Sequence, residues 1–499
     1  MPIDLIARAT GHATRVAVVD SRGQHSYSDL LTSSGSVAAA LLRGAGDLNE
    51  ARVAFLVPPG FDYAATQWGV WRAGGIAVPL AVSHPSGELA HVLDDTDPTA
   101  IVSHPSFEAR IHEAAEPRGI PVVLTSELNG TEPGVLPDVA EQRRAMILYT
   151  SGTTGKPKGV VSTHTQIRAQ VTSLVDAWEW TAEDRVILTL PLHHVHGIIN
   201  VLTCALWSGA CCDVLSGFDA RETWAHLMDR TVTLFMAVPT MYRRLISAWD
   251  EANSGDRAAM SAACSRLRLM VSGSAALPVT VLQRWLEVSG QVLLERYGMT
   301  EIGMALANPL HGERAPGTVG TPLPGVEARV VDQEMRDVAA GTPGELLIRG
   351  PNVFLEYWRR PQDTAAAFHD GWFKTGDIVV VKEGCYRILG RGSVDIIKTG
   401  GYKVSALEIE EAVRSLPGVR ECAVVGVPDP DWGERVCVAI ESVAGATLTL
   451  DDVRQRTRDR LAPYKIPKDL KVVTALPRNA LGKVTKPAVA ALFARDSGT

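Results

Sequence analysis

Short apolar runs rich in β-branched residues recur along the first part of the chain, at 16–19 (Val-Ala-Val-Val), 52–57, 76–80 and 121–124. Stretches with helical periodicity separate them, at 28–43 and 61–73. A strand that is apolar on both faces needs cover on both, and intervening helices supply it. The alternation therefore predicts an α/β domain with largely parallel sheets. It continues through 185–190, 232–238, 268–272 and 291–295. Beyond about residue 315 the pattern changes to short β-like runs split by Gly and Pro, such as Gly344-Glu-Leu-Leu-Ile-Arg-Gly350. These predict a small β-barrel or sheet attached to the first domain. A further change falls at Gly390-Arg-Gly-Ser-Val-Asp395, after which helical patterns at 405–415 and 450–460 accompany strand patterns at 423–427 and 435–442. The expected architecture is a large N-terminal α/β domain over 1–391, with two βα-type sheets plus the small β-barrel. A small α+β C-terminal domain over 392–499 follows it.

Composition narrows the function class. At 499 residues the chain exceeds one ordinary core, and 46% hydrophobic with 21% charged residues is a normal globular balance. A net charge of −7 argues against a general nucleic-acid binder while leaving room for one basic pocket. Seven cysteines, an odd number without a CxxC pair, suggest neither a disulfide framework nor a zinc site. They fit a reducing cytoplasm. The run 197–215 carries Asn200, Thr203, Ser208 and Asp213, too polar for a spanning helix, and reads as a buried helix followed by a strand. Met1–Arg8 has no basic region leading into an apolar signal segment. The expectation is a cytoplasmic protein, monomer or homodimer, with no membrane span and no nucleic-acid partner.

The first chemical signal is Tyr149-Thr-Ser-Gly-Thr-Thr-Gly-Lys-Pro-Lys-Gly159, entered from an apolar run at 145–148. Glycines let backbone N–H groups close on a phosphate, hydroxyls donate further bonds, and lysine adds a mobile positive charge. A flexible Gly/Thr linker is the bland reading. Against it, the chain has 11 lysines to 38 arginines, and its first two lysines both fall in this loop. The stretch lacks the longer spacing, and the Ser or Thr after lysine, of a Walker loop. Alone it indicates only a phosphate.

Further stretches stand behind it in order: Pro191-Leu-His-His-Val-His-Gly197, Glu295-Arg-Tyr-Gly-Met-Thr-Glu301, Trp372-Phe-Lys-Thr-Gly-Asp377, Gly390-Arg391 with Asp395-Ile-Ile-Lys-Thr-Gly-Gly401, and Asn479-Ala-Leu-Gly-Lys483. In order and spacing they resemble the adenylate-forming superfamily of acyl-CoA synthetases, firefly luciferases and peptide-synthetase adenylation domains, over nearly the whole chain. The resemblance implies that a carboxylate is activated with ATP to an acyl-adenylate and pyrophosphate, and that the acyl group then passes to the thiol of coenzyme A. It implies Thr150, Ser151, Gly152, Thr153, Thr154, Gly155, Lys156 and Lys158 around the ATP phosphates. Ser274, Ala275, Tyr297 and Gly298 would frame the nucleotide, with Asp377 and Arg391 on its ribose. Thr300 would bond the α-phosphate, and Glu301 would bind Mg²⁺ directly or through water, as a hard oxygen ligand. Lys483, reaching over from the second domain, would neutralise charge on the α-phosphate during attack. The C-terminal domain is further implied to rotate about Ser393, where family members usually carry Asp or Lys. That movement would bring Gly400 and Gly401 to the pantetheine path, with Lys403 and Arg435 as partners for CoA phosphates.

Two of these stretches, 190–197 and 294–301, resemble malonyl-CoA synthetases in particular, which use malonate and often methylmalonate. Residue chemistry points the same way. Arg296 and Arg244 would be expensive to bury without an anion, and a second substrate carboxylate suits arginine's bidentate fork. His194 and His196 would line the acyl pocket with Met299, while His193 reads as structural. Two bland readings stand beside this. Arg243 and Arg244 are neighbours on one helix, so at least one faces solvent or an acid, and Arg296 has Glu295 beside it. Rival substrates are a medium-chain or aromatic acid, or an amino acid. The last needs an acidic partner for its amine, which residues 195–197 do not offer.

Overall fold

A computed structural model describes residues 3–128, 134–150, 157–392, 394–443, 445–478 and 483–494. Ser151 to Lys156, Ser393 and Asn479 to Gly482 lie outside the described residues. The apolar runs of the first domain become the central strands of two sheets. One has nine strands, with Val16–Asp20, Cys211–Val214, Arg185–Leu188, Leu234–Ala237, Leu269–Ser272 and Leu294–Met299 side by side and parallel. Antiparallel pairs close its margins, including the hairpin from Leu294–Met299 to Gly303–Ala307. The other has seven strands, parallel from Arg144–Thr150 through Ile76–Pro79, Arg52–Leu56 and Ala100–Ser103 to Val122–Leu124. Lys158–Thr163 pairs antiparallel with Arg144–Thr150, so Thr150 and Lys158, at the two described ends of the phosphate-loop candidate, lie opposite each other.

One apolar cluster joins the two sheets through Val18, Val186, Val53 and Leu148, with Trp68, Trp71 and Trp178 from the helices Phe61–Arg72 and His164–Trp178. Separate clusters cover the outer faces, one around Tyr242, Trp224 and Trp285 and one around Leu89, Ile101 and Ile147. Such double cover is why these strands read as continuous apolar runs.

The β unit after residue 315 is a five-stranded sheet centred on the long strand Trp372–Lys382, which pairs with Gly344–Arg349, Phe368–His369 and Cys385–Arg391. Its strands pair in an open order, so among the described residues it is the sheet rather than the closed barrel. Beyond Arg391 the chain enters another five-stranded sheet, built on Ile396–Thr399, Tyr402–Ser405, Val419–Asp429, Gly433–Ser442 and Asp469–Val473. The helices Ala406–Arg414, Leu450–Thr457 and Lys486–Ala494 accompany it, and its two apolar clusters draw only on residues beyond Ile396. The run 197–215 forms a π-helix, His196–Thr203, then the helix Cys204–Ser208 and a strand. Among the described residues no helix is long and apolar enough to cross a membrane. All seven cysteines are free.

Candidate functional site

The hairpin at Leu294–Met299 builds the centre of the site, because alternate strand residues point to opposite faces. Glu295 faces Leu277, whose N–H it accepts at 3.0 Å. Burial pushes its carboxyl up to about 8, and its second oxygen has no partner. Arg296 faces the other way, so the two neighbours are not paired. It is 3% exposed, and its Nη2 donates to Ser274 Oγ at 3.4 Å while its Nε–H has no partner. Among the described residues no carboxylate offsets it, and burial alone pulls its pKa down to about 9. Ser274 holds a left-handed backbone (φ +65°), and its hydroxyl also contacts His196 Nδ1 at 3.1 Å. His196 is buried and its Nε2 has no partner; burial first and then Arg296 push its pKa well down, so the ring is neutral. If the Ser274 hydroxyl donates to Nδ1, the neutral ring carries its proton on Nε2; if it accepts from Nδ1–H, Nε2 is an acceptor. Either way Arg296 Nε–H and His196 Nε2 are two buried groups, bridged by one serine and without a protein partner. His194 adds another buried, unpartnered Nε2, with the His193 ring tilted against it at 4.2 Å between ring centroids.

On the same hairpin Tyr297 turns to the third sheet. Its hydroxyl donates to Asp377 Oδ2 at 2.5 Å, and Arg391 Nε donates to Asp377 Oδ1 at 3.2 Å. Asp377 and Arg391 lie opposite each other in one antiparallel pair, so the strand register brings together motifs fourteen residues apart. Glu301, in the turn after Met299, is buried and accepts from the Tyr357 hydroxyl at 2.9 Å; burial raises its pKa. Lys158 lies 5.1 Å from the Tyr357 ring centre and pairs with Asp363 at 3.1 Å. Tyr357 and Asp363 were not among the sequence candidates. They lie in the stretch Glu356-Tyr-Trp-Arg-Arg-Pro-Gln-Asp363.

Lys483 has an accessible flank, yet its ammonium sits among the site's cations. Desolvation, then Arg296 and Arg391, lower its pKa, and it lowers those of His194 and His196 in turn. It thus stands where the Arg296 side meets the Arg391 side. In this arrangement the second domain closes on the first.

Several candidates occupy other surroundings. Arg244 is exposed, with its guanidinium 5.0 Å from the Phe218 ring centre, so only Arg296 of the two candidate arginines is buried. Arg243 pairs with Glu421 of the second domain. Ser274 directs its hydroxyl toward Arg296 and His196 rather than standing free for a nucleotide, and Ala275 is exposed. Met299 and Thr300 occupy the turn end of the hairpin, and Thr150 ends the strand Arg144–Thr150 opposite Lys158. Gly298 is required by the hairpin itself, since a Cβ there would lie 2.1 Å from the Gly303 carbonyl oxygen. Gly400 and Gly401 form the two-residue turn between Ile396–Thr399 and Tyr402–Ser405, both at positive φ, which this turn demands. Lys403 is exposed beside them, and Arg435 pairs with Asp469 at 3.5 Å.

Comparison with known proteins gives the arrangement a context. Residues 5–358 match the family model described as AMP-binding enzyme, and residues 408–483 match the AMP-binding enzyme C-terminal domain. The chain is similar to the mitochondrial malonate–CoA ligase ACSF3 of Xenopus laevis, 45% identical over 97% of this chain and 91% of the relative. It superposes on ATP-bound MatB from Rhodopseudomonas palustris with a TM-score of 0.91 at 34% identity, covering 99% of both chains. Against the apo crystal structure of that protein, also at 34% identity and 99% of both chains, the TM-score is 0.81.

Proposed function

Because this chain belongs to the AMP-binding enzyme family, we propose that it is an AMP-forming ligase that converts malonate, ATP and coenzyme A to malonyl-CoA, AMP and pyrophosphate, with methylmalonate as a second acid. The observation that carries the choice of acid is the buried Arg296 guanidinium, whose Nε–H has no partner and no protein anion, with the unpartnered His196 Nε2 beside it; the dicarboxylate reading takes that nitrogen as Nε2–H. A medium-chain or aromatic acid brings one carboxylate, and that one is consumed at the α-phosphate. A second carboxylate accepts from both donors and offsets the buried guanidinium. The malonate–CoA ligase relative supports the same acid.

In this reading one malonate carboxylate is held by Arg296 and His196, and an oxygen of the other attacks the α-phosphorus, expelling pyrophosphate. Lys483 faces the charge that gathers there, and Thr300 donates to the same phosphate. Asp377, oriented by Tyr297 and Arg391, accepts from the ribose hydroxyls. Thr150, Lys158 and the loop from Ser151 to Lys156 hold the leaving phosphates, with Lys158 exchanging Asp363 for them. The CoA sulfur then attacks the acyl carbon, giving up its thiol proton, and AMP leaves; Gly400, Gly401 and Lys403 flank the thiol's path after the second domain turns about Ser393. Mg²⁺ suits a site with one buried carboxylate, Glu301, since it keeps waters and takes substrate phosphates as its other ligands. When bound it draws charge from the leaving pyrophosphate. Seven free cysteines support a reducing, cytoplasmic setting.

A substrate panel tests the reading. Pyrophosphate release and CoA-thioester formation are measured with malonate, methylmalonate, acetate, octanoate and coumarate. Malonate is expected to give the highest kcat/KM, with methylmalonate next. A preference for octanoate or coumarate would overturn the dicarboxylate assignment while leaving the ligase class intact.

A further inference from the structure

Besides the bonds beside the connecting segment, such as Ser405 Oγ to the Leu389 carbonyl, two polar contacts among the described residues join the second domain to the helices of the first, and neither belongs to the substrate site. On the helix Pro239–Glu251, Arg243 Nη1 lies 2.6 Å from Glu421 Oε2 and 3.3 Å from the Arg420 carbonyl. Glu421 is largely buried, and its other oxygen accepts from Arg414 Nε at 3.1 Å. Arg414 is fixed in turn by Glu411 at 3.4 Å. Glu421 is therefore presented in a set orientation instead of at the end of a free stem. The second contact uses Glu411, whose Oε1 accepts the N–H of Thr280 at 3.2 Å. Thr280 is in the first turn of the helix Val279–Ser289, which begins at Pro278 and has no side-chain cap of its own. An unsatisfied helix N–H in the first domain is thus capped by a carboxylate from the second.

Each side of this contact leads to the site through rigid structure. In the first domain the two helices pack on one another, and Tyr242, next to Arg243, donates to the Val271 carbonyl at 2.9 Å. In the second domain, Glu410 of the helix Ala406–Arg414 accepts from the half-buried Lys486, three residues beyond Lys483. The path from the contact to Lys483 crosses only one helix and one ion pair.

We infer that Arg243 with Glu421, and Thr280 with Glu411, form a latch that holds Lys483 against Arg296 and Arg391, making Arg243 a positioning residue for the adenylation half-reaction. The inference rests on the proposed role of Lys483. A domain that has turned away carries both carboxylates off their first-domain partners. The latch therefore stabilises only the arrangement in which Lys483 is engaged, and its loss shifts the population toward the other. Arg243 is about one-third exposed, so the contact is modest and screened by salt.

The test uses Arg243→Gln in the full chain and reads the half-reactions separately: malonate-dependent adenylate formation trapped by hydroxylamine, and thioester formation from preformed malonyl-adenylate and CoA. Adenylate formation is expected to fall about ten-fold, as for loss of a partly buried charge pair. Thioester formation should be unchanged or faster, and the thermal midpoint unchanged. Arg243→Lys should recover part of the loss, Glu411→Ala, which removes the acceptor for the Thr280 N–H, should show the same asymmetry, and raised salt should slow adenylation by the parent more than by Arg243→Gln. Equal slowing of both half-reactions, or no slowing of either, would overturn the latch. Lys483→Ala in the same assays separates the two readings. If it too slows both equally, the role of Lys483 fails; if only the Arg243 variants lack the asymmetry, the latch alone fails.

Discussion

Arg296 and Arg244 entered as equals, two arginines in motif-rich stretches, and tertiary surroundings separate them. Burial strips water from Arg296 without giving it an anion, whereas Arg244 keeps its water and lies on Phe218. Part of this was legible. In the helix Pro239–Glu251 the apolar positions Tyr242, Leu245 and Ile246 define the inward face, and a period of 3.6 turns residue 244 away from it. The pairing of His196 with Arg296 through Ser274 was not legible. It depends on a left-handed serine 78 residues further along the chain than the histidine. The two arginines should differ in function accordingly. Arg296→Ala is expected to weaken malonate binding by about 2–5 kcal/mol, the range for removing one partner of a desolvated pair, with little change in KM for ATP. Arg244→Ala should raise the malonate KM much less, because a solvated charge contributes less. Steady-state kinetics with malonate varied at saturating ATP compares them; a larger effect from Arg244→Ala would reverse their ranking.

At the scale of elements, the strand Leu294–Met299 does most to place the site, and its alternation was readable in advance. Glu295 cannot neutralise Arg296, because successive side chains leave opposite faces of a strand. The structure adds the consequence for Glu295 itself. Its carboxyl, ordinarily near 4.5, is pushed up to about 8 by burial, with Leu277 N–H opposing the shift and Glu411 adding to it. Between those values the folded chain holds a proton that the unfolded chain has released. Folding therefore takes up a proton, and stability falls as pH rises through that window. Glu295→Gln keeps an oxygen for Leu277 and removes the titration. Its thermal midpoint relative to the parent's should rise between about pH 5 and about pH 8. A difference that stays constant with pH would show that Glu295 is ionised in the folded chain.

At the scale of the molecule, the site is assembled from all the larger units: the nine-stranded sheet supplies Arg296 and Tyr297, the seven-stranded sheet Lys158, the third sheet Asp377 and Arg391, and the second domain Lys483. Of these residues only Lys483 belongs to the second domain. Lys483→Ala should accordingly abolish adenylate formation while sparing thioester formation from preformed malonyl-adenylate, as measured by the same trapped-adenylate and thioester assays. A variant that still adenylates at the parental rate would remove Lys483 from the reaction. The sequence by itself determined the class of fold, because doubly covered strands must be apolar along their length and amphipathic helices must recur with their own period. It also carried the motifs on which the proposed phosphate-, ribose- and metal-binding groups rest, through their resemblance to the adenylate-forming superfamily. Tertiary structure decided which arginine is buried, which serine joins it to a histidine, and which acidic residues fasten the domains. Those outcomes depend on burial and on contacts between segments far apart in the chain, and neither is a property of any single stretch.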